Sequence, residues 1–406
     1  MTKKRLVLVG SGAAAFREYA MRAIAARAEI ILVADKAPGW ELDYCVDSVV
    51  VDLGDHDAVS EAVRAIAMDG ILTYDERYVE LTARLTEELG LRGPTVAAVR
   101  KVKDKSAFRA LQQEAGLAPL RFGVADTVEQ AREVVAEVGL PAVFKPRALG
   151  GSAGVAMVTT VEEIEAAFEV ATSARVGTIR SRYDGVLIEE YVDGPEISVD
   201  SVTVGGVTTP LVVAEKQTGL DPYFEEIGHV VPAPDHLAPP SVYDLVRDAH
   251  ALAGLDDVVT HTEIRLGSNG PRIIELNARL GGDLIPYLGL LAHGVDLASA
   301  AADIALGVTP DIEHGDNGAA AVRFRYPSTD IVLRSISLPG DHPGLDTYAP
   351  LRAEGARLLL PPRGFMSRLA AVVVTGADRE ECLAAANRIT DQIVVDADEL
   401  HPAGKI

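Results

Sequence analysis

Cysteine is nearly absent from this 406-residue chain: Cys45 and Cys382 are too few and too far apart for a disulfide framework or a cysteine-built metal centre. Positive charge is scarce too, since 38 Lys and Arg against 60 Asp and Glu leave a formal net charge of -22. Such a surface repels phosphate backbones, which excludes broad nucleic-acid binding and obliges any nucleotide site to make its own local positive field. Long apolar runs are missing as well. None approaches a membrane span, and Leu6 to Val9 after the basic start ends at Gly10, too short for a signal peptide. These absences lead us to expect a reducing, cytoplasmic setting with neither nucleic acid nor membrane as partner. Aromatic residues are only 5%, yet hydrophobic residues reach 48%. That is the Ala-, Val- and Leu-rich composition of α/β proteins, at a length sufficient for two or three domains.

The order of apolar runs predicts α/β and α+β organisation. Strands at 5–9, 29–34, 49–53 and 70–74 alternate with helices at 13–27, 55–68 and 77–89, a βαβ series that predicts a Rossmann-like parallel-sheet domain over residues 1–93. Gly10-x-Gly12-x-x-Ala15 with Asp35 downstream fits a dinucleotide fingerprint. The same pattern arises wherever a parallel strand turns tightly into a helix. Leu91-Arg92-Gly93-Pro94 marks a break, followed by a predicted helix over 95–115 and a central unit over 94–310. Beyond residue 310, a Pro- and Gly-rich stretch, the strand-like RLAAVVVTG and a helix over 378–393 predict an α+β unit over 311–406.

The densest chemistry lies in IIELNARLGGD, Ile273 to Asp283. Strand alternation puts Glu275 and Asn277 on one face, and a hairpin through Gly267 to Pro271 would bring Glu263 to the same patch. Two carboxylates and an amide carbonyl together suit Mg²⁺, a hard ion commonly shared with nucleotide phosphates. Arg279 would add a fixed cation for a transferred phosphate or an acyl-phosphate oxygen. A solvated hairpin face is the competing reading. Against it, Ile273, Ile274, Leu276, Leu280, Leu284 and Ile285 make the setting apolar, where acids are paired, metal-bound or costly.

Upstream, a strand sets Lys145 before a turn of small residues, Gly150 to Gly154, that lets backbone N–H groups approach phosphates. It is not a Walker A loop, because the lysine precedes the glycines; a plain flexible hairpin tip is the alternative. Glu189-Glu190-Tyr191-Val192 reads as a strand end that can offer backbone donors and acceptors to an adenine, and Glu196 after the Gly194-Pro195 turn can accept from ribose hydroxyls.

Taken in order, these pieces resemble the ATP-grasp superfamily of carboxylate–amine ligases. The landmarks are Asp104-Lys105, Lys145 with Gly150 to Gly154, Glu189 to Val192 with Gly194-Pro195-Glu196, and Glu263 with Glu275-Leu276-Asn277-Ala278-Arg279. The resemblance implies an ATP-grasp fold, with 1–93 preceding the grasp, 120–195 covering the ATP and 311–406 as the lid that completes the core. It implies that Lys105 and Lys145 offset phosphate charge, that Gly151, Ser152 and Gly154 cover the phosphates, and that Glu196 binds ribose. Glu263, Glu275 and Asn277 would hold one or two Mg²⁺, with Mn²⁺ as a substitute, and Arg279 would stabilise the transferring group. The implied chemistry activates a carboxylate as an acylphosphate, which an amine then converts to an amide.

Within the superfamily, Glu225 to Pro234 is similar to bacterial L-amino-acid ligases, which make dipeptides, and Glu226 and His229 match their Glu-x-x-His element. Glu226 would hold a substrate ammonium, and His229 would orient a carboxylate or take a proton from the amine. Gly281 and Gly282 would present N–H groups to a carboxylate, while Asp283 points to a polar or cationic side chain in the substrate. Asp75 and Glu76 are expected to touch the ammonium or else to cap the next helix, and Lys216 to approach the γ-phosphate or a carboxylate. ATP, an amino acid or small carboxylic acid, and an amine are the expected partners, in a homodimer. An ATP-grasp carboxylase or purine-pathway ligase is the second reading; a nicotinamide- or nucleotide-binding protein built on the Gly10 turn is the third, and it leaves Lys145 to Arg279 unexplained.

Overall fold

A continuous apolar strand with helices to either side needs parallel partners, and Arg5–Val9 (β1) has them. In this computed structural model, which describes residues 3–176 and 180–400, Glu29–Ala34 (β2) pairs with β1, Cys45–Val50 (β3) lies outside β2, and Gly70–Leu72 (β4) lies on the other side of β1. β3 begins four residues before the strand expected at 49–53. It is an edge strand with Val46 and Val50 exposed, so its polar neighbours Asp47 and Ser48 hid the pattern.

The Gly10 turn does not look like a dinucleotide site. Gly10 and Gly12 have φ of +72° and +71°, as the tight strand-to-helix turn requires. The Tyr78 ring covers it, so that a Cβ on Gly10 would lie 2.6 Å from Cε2, and Ser11 Oγ donates to Glu41 Oε1 at 2.5 Å. An aromatic ring and an acid stand where a pyrophosphate would have to approach.

The helix expected over 95–115 is two, Val96–Lys103 and Lys105–Ala115. Asp104 breaks it with extended backbone and caps the second helix by accepting from the Ser106 N–H at 3.0 Å. Helical periodicity continues through the break, which is why the run reads as one. The cap turns Lys105 and Arg109, four residues apart, toward the same side.

Phe122–Ala125 (β5), Ala142–Pro146 (β6), Ala156–Val158 (β7) and Val186–Glu190 (β8) form an antiparallel sheet in the order β5-β8-β6-β7, with the helices Val128–Val138 and Ile164–Ser173 sharing its core. The glycine-rich turn joins β6 to β7. The largest sheet is built from Glu196–Val204 (β9), Val207–Gly219 (β10), Glu225–Val231 (β11), Val258–Gly267 (β12), Gly270–Asn277 (β13), Ala319–Arg325 (β14), Leu345–Pro350 (β15) and Ala370–Gly376 (β16). Its order is β13-β12-β9-β10-β11-β14-β16-β15, antiparallel throughout. Strands from beyond residue 310 therefore continue the sheet that carries the acidic hairpin.

The apolar helices Ile285–His293 and Leu297–Ala305 share one buried cluster with Leu6 and Leu8 of β1 and Val202 of β9, which fixes the first sheet against the large one. Among the described residues, no single helix is long and apolar enough to cross a membrane.

Candidate active site

Register makes the acidic patch. Across β12 and β13, Glu263 pairs directly with Glu275, and His261 with Asn277. Like charges directly opposite destabilise a hairpin, and cations from elsewhere answer them: Lys216 Nζ lies 2.9 Å from Glu263 Oε2, and Lys105 Nζ 3.2 Å from Glu275 Oε2. Burial opposes charge on Glu263, but Lys216 and His261 hold its carboxyl well below the usual range. Two carboxylates and the buried Asn277 form a hard-oxygen set that fits Mg²⁺.

Beside this face opens a cleft of about 730 Å³ with Lys105, Lys145, Gly151, Ser152, Tyr191 and Glu196 in its walls. Lys145 from β6 bonds Glu189 on β8, whose other oxygen accepts from Arg109 Nε at 2.9 Å. Burial depresses the Lys145 pKa against the pull of Glu189. Arg109, 1% exposed, also donates to the Ile274 carbonyl at 2.7 Å and so ties the smaller sheet to β13. At the hinge, the N–H groups of Glu190 and Tyr191 already donate to the Arg121 and Pro141 carbonyls. The Val192 carbonyl accepts from Arg265 at 3.0 Å, while the Val192 N–H has no hydrogen-bond partner among the described residues.

Glu196 is held at both oxygens, by Lys216 at 2.7 Å and Arg265 at 3.0 Å. The Arg265 guanidinium lies over the rings of Tyr191 and Phe224, 5.2 and 4.9 Å from their centroids. Gly151, Ser152 and Gly154 all have positive φ, and Met366 packs so closely that a Cβ on Gly151 would lie 2.5 Å from its sulfur.

Lys216 is the hub. Its ammonium also lies 2.8 Å from Glu226 Oε1, so three carboxylates surround it. Burial works against that charge, yet Glu196, Glu226 and Glu263 hold the Lys216 pKa well above its ordinary value.

Past Lys216 the cleft continues into a pocket walled by Glu226, His229, Asp283, Arg279, Arg17 and Met366. Glu226, His229 and Asp283 present ligand atoms within 4.8 Å of one another, an arrangement that could hold a metal were it free of cations. It is not free. Arg368 grips both Asp283 oxygens at 2.6 and 2.7 Å, reaches Glu226 Oε2 at 3.1 Å and stacks on Phe324. Asp283, expected to face a polar or cationic side chain of the substrate, thus has an internal guanidinium on both oxygens. Burial and the Asp283 charge raise the Glu226 pKa to about 8 despite Lys216, while Arg368 overcomes burial to hold Asp283 well below its usual range. His229 lies 3.3 Å from Asp283 Oδ2, and burial depresses its pKa.

Arg279 donates to Glu76 at 2.9 Å, and Glu76 is shared with Lys103 at 3.0 Å. Asp75 accepts from the Arg77 N–H and from its guanidinium, so it caps the short turn Glu76–Tyr78 rather than facing the pocket freely. Gly282 lines the pocket, whereas Gly281 packs against Asp200 and His261. Arg109, Arg265, Arg368, Asp200 and His261 escaped the sequence reading. Arg109 and His261 left a signal, one helical turn after Lys105 and one strand repeat before Glu263; Arg368, far along the chain in an ordinary strand approach, left none.

The chain is similar to known proteins in sequence and in fold. Residues 138–287 match the model of the ATP-grasp domain. Alanine–anticapsin ligase of Bacillus subtilis is 29% identical over 297 residues, 66% of this chain and 62% of that protein, so the chain spans less than two thirds of that relative's length. Among solved structures, an L-amino acid ligase from Bacillus licheniformis superposes with a TM-score of 0.81 at 21% identity, covering 98% of this chain and all of the other. The biotin carboxylase domain of Hydrogenobacter thermophilus 2-oxoglutarate carboxylase, a complex with MgADP and bicarbonate, follows at 0.73 and 17%, covering 98% of this chain and 91% of that one.

Proposed function

We propose that this chain, which carries an ATP-grasp domain in an ATP-grasp fold, is an ATP- and Mg²⁺-dependent ligase that joins an amino acid or small carboxylic acid to an amine. The observation that carries the reading is the continuity of two chemistries at one face: Glu263 and Glu275 line both the cleft of Lys105, Lys145 and Glu196 and the pocket of Glu226, His229 and Asp283, and Asn277 lines that pocket beside them. Bound Mg²⁺ would shield the phosphates and orient the γ-phosphoryl group; Mn²⁺ is proposed as a substitute.

Lys105 and Lys145 balance the phosphate charge, and Lys216 leaves its carboxylates for the phosphate or stays as their counter-ion. Adenine is received at the Val192 N–H, ribose at Glu196, and the phosphates under Gly151 to Gly154. The acid carboxylate attacks the γ-phosphate and releases ADP. Arg279 stabilises the negative charge that develops, then the amine displaces phosphate to form the amide. Glu226 receives a substrate ammonium, and His229 orients the reacting groups.

ADP formation across pairs of amino acids, small acids and amines, with mass spectrometry of the products, tests this. A product mass equal to acid plus amine less water is expected. ADP release that needs bicarbonate and no amino acid would instead point to carboxylase chemistry.

A further inference from the structure

β9 and β12 set Asp200 directly opposite His261, and the two side chains are 0% and 4% exposed. His261 Nδ1 lies 2.6 Å from Asp200 Oδ1, and a carboxylate accepts, so the ring donates there and its plane is fixed. The other ring nitrogen, Nε2, faces Glu263 Oε1 at 3.5 Å, two residues along the same strand face. Asp200 Oδ2 has no hydrogen-bond partner among the described residues. A carboxylate buried this deeply is costly unless its charge is used, and His261 is what uses it. Gly281 closes the remaining side: a Cβ there would stand 2.9 Å from Asp200 Oδ2 and 3.0 Å from His261 Nδ1, so the loop that follows Arg279 rests on the pair. Asn277 of β13 pairs with His261 of β12.

We propose that Asp200 and His261 are positioning residues for the divalent cation: Asp200 fixes the imidazole, and the imidazole holds Glu263 Oε1 so that the carboxylate meets the ion in one orientation. The proposal rests on Glu263 being a Mg²⁺ ligand, as inferred above. Partners behind a ligand commonly set metal affinity without touching the metal, and losing one costs ~10–100-fold.

The test is Mn²⁺ binding to the full chain with ADP present, read by electron paramagnetic resonance of free Mn²⁺, beside ADP binding in chelator. His261→Ala is expected to weaken Mn²⁺ binding by ~10–100-fold and to leave metal-free ADP binding unchanged. His261→Gln, which restores a donor toward Glu263, recovers part of the loss, and Asp200→Asn shows a smaller loss in the same direction. Unchanged Mn²⁺ affinity in His261→Ala, or equal losses with and without metal, overturns the proposal. Should His261→Ala fail to fold, unchanged Mn²⁺ affinity in Asp200→Asn overturns it. Glu263→Gln separates the two possible failures: retained Mn²⁺ affinity there removes the metal reading itself. Lost affinity there with retained affinity in the His261 variant removes only the positioning role.

Discussion

The two halves of the cleft balance charge in different ways. In the half proposed for the nucleotide, the carboxylates Glu196, Glu263 and Glu275 share cations that ATP and Mg²⁺ would be expected to redistribute, with Lys216 serving Glu196 and Glu263 and Lys105 serving Glu275. In the half proposed for the substrates, Asp283 is locked by a bidentate guanidinium from Arg368, 85 positions further along the chain. The first arrangement is built to exchange partners and the second to keep them. A lysine is a point charge that moves between oxygens, whereas an arginine fork holds one carboxylate in one geometry.

Breaking the lock should give the largest effect. Arg368→Met strands the buried Asp283 charge and is expected to lower unfolding free energy by about 3–5 kcal/mol, measured by denaturant melts. Adding Asp283→Asn to that variant should recover much of the loss, because the stranded charge is gone; additive losses would contradict the lock.

On the exchanging side, Glu275→Gln should leave the melt nearly unchanged, since its lysine is needed as much by incoming phosphate as by the carboxylate. ADP formation is expected to fall by about 10²–10³-fold, the scale of losing one group that stabilises transferring charge. Normal turnover in a folded Glu275→Gln protein would remove the hairpin from the chemistry.

That contrast also governs what the sequence could reveal. Glu263, Glu275 and Asn277 are legible because strand alternation converts spacing into a shared face, and hairpin register then brings the acids together. Strands 5–9, 29–34 and 186–190 are legible from local pattern too, through the apolar runs Leu6 to Val9, Ile30 to Ala34 and Val186 to Ile188. The break at Asp104 was not, because helical periodicity runs through it and the cap alone stops it. Arg368 was not, because its meaning depends on β16 lying two strands from β11 in the sheet, which no local pattern encodes. The sequence therefore shows the charge of Asp283 but not its partner Arg368.

The pocket's protonation offers a subtler probe. With a pKa near 8, Glu226 is mostly neutral at pH 7 and gains its charge as pH rises through about 8. Burial sets that value first, with Lys216, Asp283 and Glu263 acting on the carboxyl, and these three neighbours, together with the adjacent Arg368, stay charged across this range. Affinity for a substrate ammonium should therefore rise between pH 7 and 8, by up to about 10-fold per pH unit, once the amine's own titration is subtracted. Glu226→Gln should flatten the profile, and an unaltered slope in that variant would move the ammonium site elsewhere.

The smallest effect separates a residue that supports the site from one that belongs to it. Asp75 directly precedes Glu76, the partner of Arg279, but its oxygens accept from the Arg77 backbone and guanidinium. Asp75→Ala should cost about 0.5–2 kcal/mol of stability, as lost caps do, with KM for either substrate unchanged. Asp75→Asn keeps a capping side chain and removes the charge, so it should restore most of the stability. A raised amine KM in Asp75→Asn, with the melt intact, would mean that Asp75 leaves Arg77 when substrate arrives. It would then join the cleft's exchanging side, alongside Lys216 rather than Arg368.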